Sequence, residues 1–445
     1  GKRAKDHAMS QEGINRLLVE KTREGKRVAR VKGGDPMIFG RGGEEAAELA
    51  AAGLRFEIVP GISSAIAGPA YAGIPVTHRE HCSQLTIFTG HEDPTKDDSS
   101  IDFASLAGAP GTKVFLMGVS RLRGIAASFI AHGAAPDTPI ALSRWATTGA
   151  QRTIVGTLAD IAEVAEREGF GSPAVAVIGS VVRERERINW FETRPLFGRR
   201  IVVTRTRGQA GELSRQLADL GADVVEMPTI RIEDPADRRA FASGVAHAHE
   251  YDWLVFTSPN GVKKFFDAFF SIYDDARSLG NPKSAVIGEG TAQAVREYRF
   301  GVDLIPEKFV AEGLVEAFRK ESVENLTVLW VKAEETRDVV GRELSAMGAI
   351  VDECVAYRTV TETDDPTGAV EKFRSEGAEL VTFTSSSTVE NFFRLGLEWP
   401  AGCGAASIGP VTSETLRRHG IEPVVEAGRH DIPGLVDAVR KFLGG

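Results

Sequence analysis

Two hydrophobic periods alternate along this chain, one of about 3.6 residues and one short and continuous. Residues 10–24 place Ile14, Leu17 and Leu18 on one helical face and end at Gly25, which predicts an amphipathic helix with a glycine C-cap. Residues 27–31 then read as a short strand, and 44–52 as a helix rich in alanine and glutamate that stops at Gly53. Residues 56–59 read as the next strand, closed by Pro60 and Gly61. Further apolar runs at 85–88, 114–117, 139–142 and 174–178 each end at glycine or a polar turn. Strands alternating with helical patterns predict α/β architecture, which gathers ligands at strand ends.

Residues 183–200 break that rhythm with the charged run RERER, then Asn189, Trp190 and Phe191, then Pro195 and Gly198. The boundary is expected there, with one domain over 1–195 and the next beginning at 198; a new strand follows at 201–204. The second half repeats itself. FTSPNGVKKFF from Phe256 aligns without gaps on FTSSSTVENFF from Phe383, and Gly221 in QLADLGADVV matches Gly348 in ELSAMGAIVD at the same offset of 127 residues. VIGEGTA from Val286 pairs with SIGPVTS from Ser407. Two similar α/β lobes are expected, with a ligand in the cleft between them.

At 445 residues the chain exceeds what a single core supports, which agrees with more than one domain. Its net charge of −9 argues against a nucleic-acid binder, though it leaves room for a local basic pocket. No apolar run approaches the roughly 18 residues of a membrane span and no leader opens the chain, so the expected location is the cytoplasm. The chain opens at Gly1, and a trimmed or partial polypeptide is expected. Cys82, Cys354 and Cys403 make no CxxC pair and read as small hydrophobes. The cluster His78, His81 and Cys82 fits no zinc spacing, so no metal is expected.

Chemistry concentrates where strands run into helices. Free N–H groups and the positive helix end make such junctions anion sites, to which Thr257, Ser258, Thr384 and Ser385 add hydroxyls. Thr291 and Thr412 repeat the arrangement after glycine. Any one of these could simply cap a helix. Four, paired by duplication, point to a ligand with several carboxylates.

From about Gly198 onward the chain resembles uroporphyrinogen-III synthase, through VVTRTRGQAGELSRQLADLGADVVEMPTI, the FTSPNGV and FTSSSTV pair, GEGTA, VLWVKAEETRD and VAYRT. The resemblance implies two flavodoxin-like α/β lobes, 198–233 with 361–445 and 234–360, joined by two crossing strands. It implies a lyase that needs no cofactor and cyclises hydroxymethylbilane to uroporphyrinogen III with inversion of ring D. Tyr357 falls on the family's tyrosine and is the candidate for assisting the leaving hydroxyl, with a cleft-lining aromatic as the other reading. Ser258, Thr291, Ser385 and Thr412 fall on its substrate contacts, and Arg205 and Lys332 are candidate propionate partners.

The glycine-rich stretch RVKGGDPMIFGRGGEE at 30–45 is neither a dinucleotide fingerprint nor a P-loop. With Pro60, Gly61, Ser63, Ser64, the TGH at 89–91, Met117, Gly118 and the GSP at 171–173, it resembles uroporphyrinogen-III C-methyltransferase from Gly1 to about Phe191. The resemblance implies a tetrapyrrole methylase fold, here lacking its N-terminal strand, glycine loop and aspartate. It implies an S-adenosyl-L-methionine site formed by Gly33, Gly34, Asp35, Ile38, Ser63, Ser64, Met117 and Ala146, with S-adenosyl-L-homocysteine as product. Lys2 is the candidate general acid, and Arg41, His78 and Arg79 are candidate substrate donors. The expected function is a fusion of two consecutive tetrapyrrole enzymes, the second methylating uroporphyrinogen III at C2 and C7 to precorrin-2, with no nucleic-acid or membrane partner and a homodimer through the methyltransferase half. The alternatives are a chain in which only the synthase half works, and a two-lobed binding protein for an anionic ligand.

Overall fold

The computed structural model describes residues 2–3, 6–7, 9–90 and 101–444, and the chain divides into two units, Gly1–Arg199 with Leu220–Asp223 and Arg200–Asp219 with Val224–Gly445. In the first unit β1 (Lys2–Arg3) pairs antiparallel with β2 (Asp6–His7). The main sheet comprises β3 (Leu85–Thr89), β4 (Thr112–Leu116), β5 (Pro139–Arg144), β6 (Arg152–Thr157) and β7 (Ala174–Ile178), in the order β3-β4-β7-β5-β6. β3 and β4 are parallel, and the other pairings are antiparallel.

Side chains on this sheet alternate between two buried faces, as a period of two requires. Phe115, Ile140, Leu142, Ala176 and Ile178 pack with Ile125 and Phe129 of helix Leu122–Ala131 and with Ile161. Val114, Ala141, Val175 and Val177 face the other way, toward Ala65 of helix Ser64–Tyr71 and Ile74. Burial on both faces makes the strands read as continuous apolar runs, with each large side chain contributing roughly 1.5–3 kcal/mol.

The helix expected at 10–24 forms as Gln11–Arg23; the Gly13 N–H donates to the Ser10 hydroxyl at 3.1 Å, and Gly25 turns out of the helix at φ 77°. The helix expected at 44–52 forms as Gly42–Ala51. Two expected strands do not form: residues 27–31 and 56–59 have no ladder partner among the described residues, and Val31 and Val59 are 81% and 74% exposed. An apolar run becomes a strand only when a neighbour supplies its hydrogen bonds. Edge strand β6 was not expected, because RTIVGT offers only Ile154 and Val155 as an apolar pair between polar residues and glycine.

The second unit has two sheets. Its strands are β8 (Arg200–Val203), β9 (Asp223–Glu226), β10 (Ile230–Glu233), β11 (Trp253–Phe256), β12 (Lys283–Val286), β13 (Thr327–Ala333), β14 (Ile350–Thr361), β15 (Leu380–Phe383), β16 (Gly404–Ser407) and β17 (Val425–Glu426). The orders are β17-β16-β15-β8-β9 and β12-β11-β13-β14-β10. In the first lobe, counting strands along the chain, the order is 2-1-3-4-5, that of flavodoxin-like sheets. The duplication is visible as an equivalence of β16-β15-β8-β9 with β12-β11-β13-β14, each sheet then adding one edge strand of its own. β10, expected in the lobe ending at residue 233, belongs instead to the second sheet. It runs antiparallel to the last four residues of β14, because both strands make the crossing between lobes and the ribbon satisfies their backbones.

The second lobe is centred on aromatic packing: Phe266 is 1% exposed and stacks on Tyr298 and Phe300 at 4.7 and 4.8 Å between centroids. No helix among the described residues is long and apolar enough to cross a membrane. Phe266→Ala is expected to destabilise the second unit by about 3–5 kcal/mol, read as a lowered midpoint in urea unfolding followed by tryptophan fluorescence.

Candidate functional sites

In the second unit the matched strands β11 and β15 end in matched junctions. Helix Pro259–Ile272 is capped by Ser258, whose hydroxyl accepts from the Gly261 N–H at 3.0 Å. Helix Ser386–Arg394 is capped by Ser385, which accepts from the Thr388 N–H at 3.3 Å. Beyond the caps the junctions diverge. The Ser258 hydroxyl lies 2.8 Å from that of Tyr357, whereas the Ser385 hydroxyl lies 2.9 Å from that of Ser387. Thr257 and Thr384 are half-buried beside them.

Tyr357 is brought to Ser258 by strand register. It pairs with Ala333 just past an irregularity at Lys332 and Ala333, and its carbonyl accepts from the Glu334 N–H at 2.9 Å. The ring is 6% exposed. Burial raises the phenol's pKa, against the opposing pull of its hydrogen bonding with Ser258 and Asn260, so the group keeps its proton at neutral pH.

The other sequence candidates are placed differently. Thr291 and Thr412, in the first turns of helices Glu289–Glu297 and Pro410–Arg418, are each 3% exposed. Lys332 is buried, with its ammonium 2.9 Å from Glu353 and 4.4 Å from the Trp330 ring, so its charge is already matched within the lobe. Arg205 follows β8 half-buried, and burial opposes its charge. A groove beside the crossing strands is lined by Ile232, Glu233, Asp234, Arg238 and Arg358, but Arg358 and Arg231 both pair with Glu233, at 2.7 and 2.6 Å. Charges of both signs, already paired, do not suit a polyanion.

In the first unit the glycine-rich loop is fastened by one carboxylate. Asp35 accepts from the Met37 N–H at 2.8 Å and the Gly61 N–H at 3.0 Å. These bonds, with Gly61's the larger, hold its pKa below the ordinary carboxylate value. The two loops touch backbone to backbone. A Cβ on Gly61 would lie 2.8 Å from the Gly34 carbonyl oxygen, and Gly34 has φ 140°. Glycine is required at both. Ser63 caps helix Ser64–Tyr71, accepting from the Ala65 N–H at 3.2 Å, and on that helix Gly68 faces Ala146. The structure thus joins Gly34, Asp35, Gly61, Ser63 and Ala146 through consecutive contacts. Met117 ends β4 at φ 57° and is exposed, as are Ile38, Gly33 and Ser64.

Lys2's side chain and His91 lie outside the described residues. Arg41 is spent on Glu44 at 2.6 Å, and Arg79 is exposed. His78 accepts from the Glu80 N–H at 3.3 Å, and both ring nitrogens of His81 are taken, by Ser180 and Glu184 at 3.0 Å each. Cys82 lies 3.0 Å from the Thr112 hydroxyl.

Residues 211–437 match the family model for uroporphyrinogen-III synthase HemD, just over half the chain. A porphyrin biosynthesis protein HemD from Ruminiclostridium josui is 36% identical over all of this chain and 88% of its own length. The chain belongs to the uroporphyrinogen-III synthase family. Residues 1–162 match the model for tetrapyrrole (corrin/porphyrin) methylases. An S-adenosyl-L-methionine-dependent uroporphyrinogen III methyltransferase from Methanosarcina barkeri is 56% identical over 41% of this chain and 71% of its own. Among solved structures, a uroporphyrin-III C-methyltransferase from Thermus thermophilus complexed with S-adenosyl homocysteine is 35% identical, covering 39% of this chain and 74% of its own at a TM-score of 0.34. The protein is therefore an enzyme that joins a methyltransferase part to a synthase part.

The Asp35 clamp has a defined pH dependence. A depressed native pKa contributes stability above the ordinary carboxylate range, which is lost as pH falls through the lowered value. Protection of the Gly61 and Met37 amides from exchange, relative to the intrinsic rate at each pH, is therefore expected to be high at neutral pH, to fall as pH drops through the lowered pKa, and to be low at all pH values in Asp35→Ala.

Proposed function

We propose that the second unit cyclises hydroxymethylbilane to uroporphyrinogen III with inversion of ring D, and that the first methylates this product at C2 and C7 to precorrin-2. Tyr357 carries the synthase reading: a protonated phenol within β14, where pairing passes from β13 to β10, held by the helix start that follows β11. Loss of the substrate's hydroxyl creates an azafulvene that ring D attacks, and the pyrroles supply most of that reactivity. The protein's task is to fold the chain, hold its carboxylates and deliver a proton to the departing oxygen. The N–H groups at the starts of helices Pro259–Ile272, Ser386–Arg394, Glu289–Glu297 and Pro410–Arg418 are the proposed carboxylate contacts, since Thr291 and Thr412 are buried.

For the first unit the residues fit S-adenosylmethionine. A Cβ on Gly33 would meet no atom within 4 Å, so the loop leaves open room where a ligand can approach the backbone. Exposed Ile38 and Met117 offer apolar walls, and Ser63 and Ser64 a helix start. When bound, the cofactor supplies an electrophilic methyl group. Gly33, Gly34, Asp35, Ile38, Ser63, Ser64, Met117 and Ala146 would hold it, and positioning is their contribution.

The chain is expected to raise the ratio of isomer III to isomer I formed from hydroxymethylbilane, and Tyr357→Phe to lower kcat roughly 100-fold. An unchanged isomer ratio would sink the synthase reading. For the first unit, Gly61→Ala is expected to weaken S-adenosylmethionine binding about tenfold by calorimetry, a loss of about 1.4 kcal/mol, while leaving cyclisation untouched. Equal affinity in both chains counts against the proposed cofactor loop.

A further inference from the structure

The duplicated junctions present nearly the same sequence to different neighbours. Ser385 spends its hydroxyl on Ser387, another small side chain of its own helix. Ser258 spends its hydroxyl on Tyr357, which is 99 residues away in sequence and comes from a different strand. A serine hydroxyl has one proton and two lone pairs. At Ser258 one lone pair is occupied by the Gly261 N–H, a free donor of the first turn. That bond and the positive helix end withdraw electron density from the oxygen, making it a poorer acceptor and a better donor. The Asn260 side chain, from the same turn, reaches the same phenolic oxygen.

We propose that Ser258 is a positioning residue for the cyclisation: it donates its proton to the Tyr357 oxygen, turns the phenolic proton away from the helix start, and does not itself bind a substrate carboxylate. This deepens the proposed role of Tyr357 and rests on it. In the step that follows, the bond between the methylene carbon and the hydroxyl oxygen breaks and its electron pair stays on oxygen. That oxygen takes the Tyr357 proton and leaves as water. The phenolate, held by Ser258 and Asn260, recovers a proton released from the pyrrole carbon on ring closure. The net change is loss of one water from the substrate. The helix start thus acts on the reaction through a serine and a tyrosine, and only one of the two lobes is equipped for it.

The test measures kcat and KM for hydroxymethylbilane across pH in the full chain, for Ser258→Ala, Ser258→Thr, Ser258→Asp, Tyr357→Phe and Ser258→Ala with Tyr357→Phe. Ser258→Ala should lower kcat about 10- to 100-fold with KM within about threefold, and move the alkaline limb of the kcat profile upward. Ser258→Thr should restore most of the rate. Ser258→Asp keeps a cap for the helix but has no proton to donate, so it should be as slow as the alanine variant while unfolding at the wild-type temperature. The double variant should be no slower than Tyr357→Phe. A tenfold rise in KM at unchanged kcat, or full activity in Ser258→Asp, overturns the proposal. Full activity in Tyr357→Phe would instead remove the reading of Tyr357 on which it rests, so the two failures are distinguishable.

Discussion

One strand changes partner at one residue, and the synthase part depends on that change. β14 runs parallel to β13 through Tyr357, then antiparallel to β10 from Arg358 to Thr361. Its first stretch completes the sheet of the second lobe, and its last stretch is half of the ribbon that leads back to the first. Tyr357 sits at the changeover, the last residue of β14 in register with β13, with its carbonyl accepting from the Glu334 N–H and its neighbour Arg358 already paired with β10. The irregularity between Lys332 and Ala333 belongs to the same device, since a local register shift re-aims a side chain.

The duplication explains why a second junction exists, and its divergence explains why the two can do different work. β16-β15-β8-β9 and β12-β11-β13-β14 are one arrangement used twice. Both copies keep a serine cap, because a helix start needs an acceptor for its free N–H groups whatever its function. What differs is the side chain that each serine meets beyond the cap. Stability fixes the shared feature, and the unshared contact is free to be specialised for chemistry.

The strands at 114–117, 139–142, 174–178 and 201–204 were legible because their central residues are buried on both faces and read as apolar runs, though Met117 lies exposed past the end of β4; 85–88 was legible although it is a half-buried edge strand interrupted by Thr86. The sequence misled at 27–31 and 56–59, where composition suits a strand and no ladder partner is found among the described residues. Gly25 and Gly53 announced helix ends correctly, since capping is decided within a few residues. Contacts between distant positions were not legible. The spacing of Ser258 and Tyr357 follows from strand order and register, which periodicity does not encode. The pairing of Lys332 with Glu353 was hidden for the same reason, and it turns an expected propionate partner into a structural ion pair. Burial of Thr291 and Thr412 was equally invisible, because a hydroxyl at a helix start reads alike whether it faces solvent or the sheet beneath.

The two units meet their proposed ligands through opposite backbone strategies. Among the described residues seven non-glycine residues have positive φ, and five of them, Phe39, Arg41, Met117, Trp145 and Thr147, lie in or beside the loops that carry Ile38, Met117 and Ala146. Each such conformation costs roughly 1–3 kcal/mol and persists only where its surroundings over-determine it. Here the ends of β4 and β5, anchored in a sheet buried on both faces, supply that constraint for Met117 and Trp145. At the serine-capped junctions of the second unit the backbone is relaxed: Ser258 and Ser385 are both extended, and each accepts a first-turn N–H of the helix that follows it. Strained loops suit a transfer that tolerates little error in direction, because the strain is held by rigid strands and not by the ligand. Relaxed helix starts suit a flexible polycarboxylate, which can be gathered by many equivalent donors before a single proton is delivered.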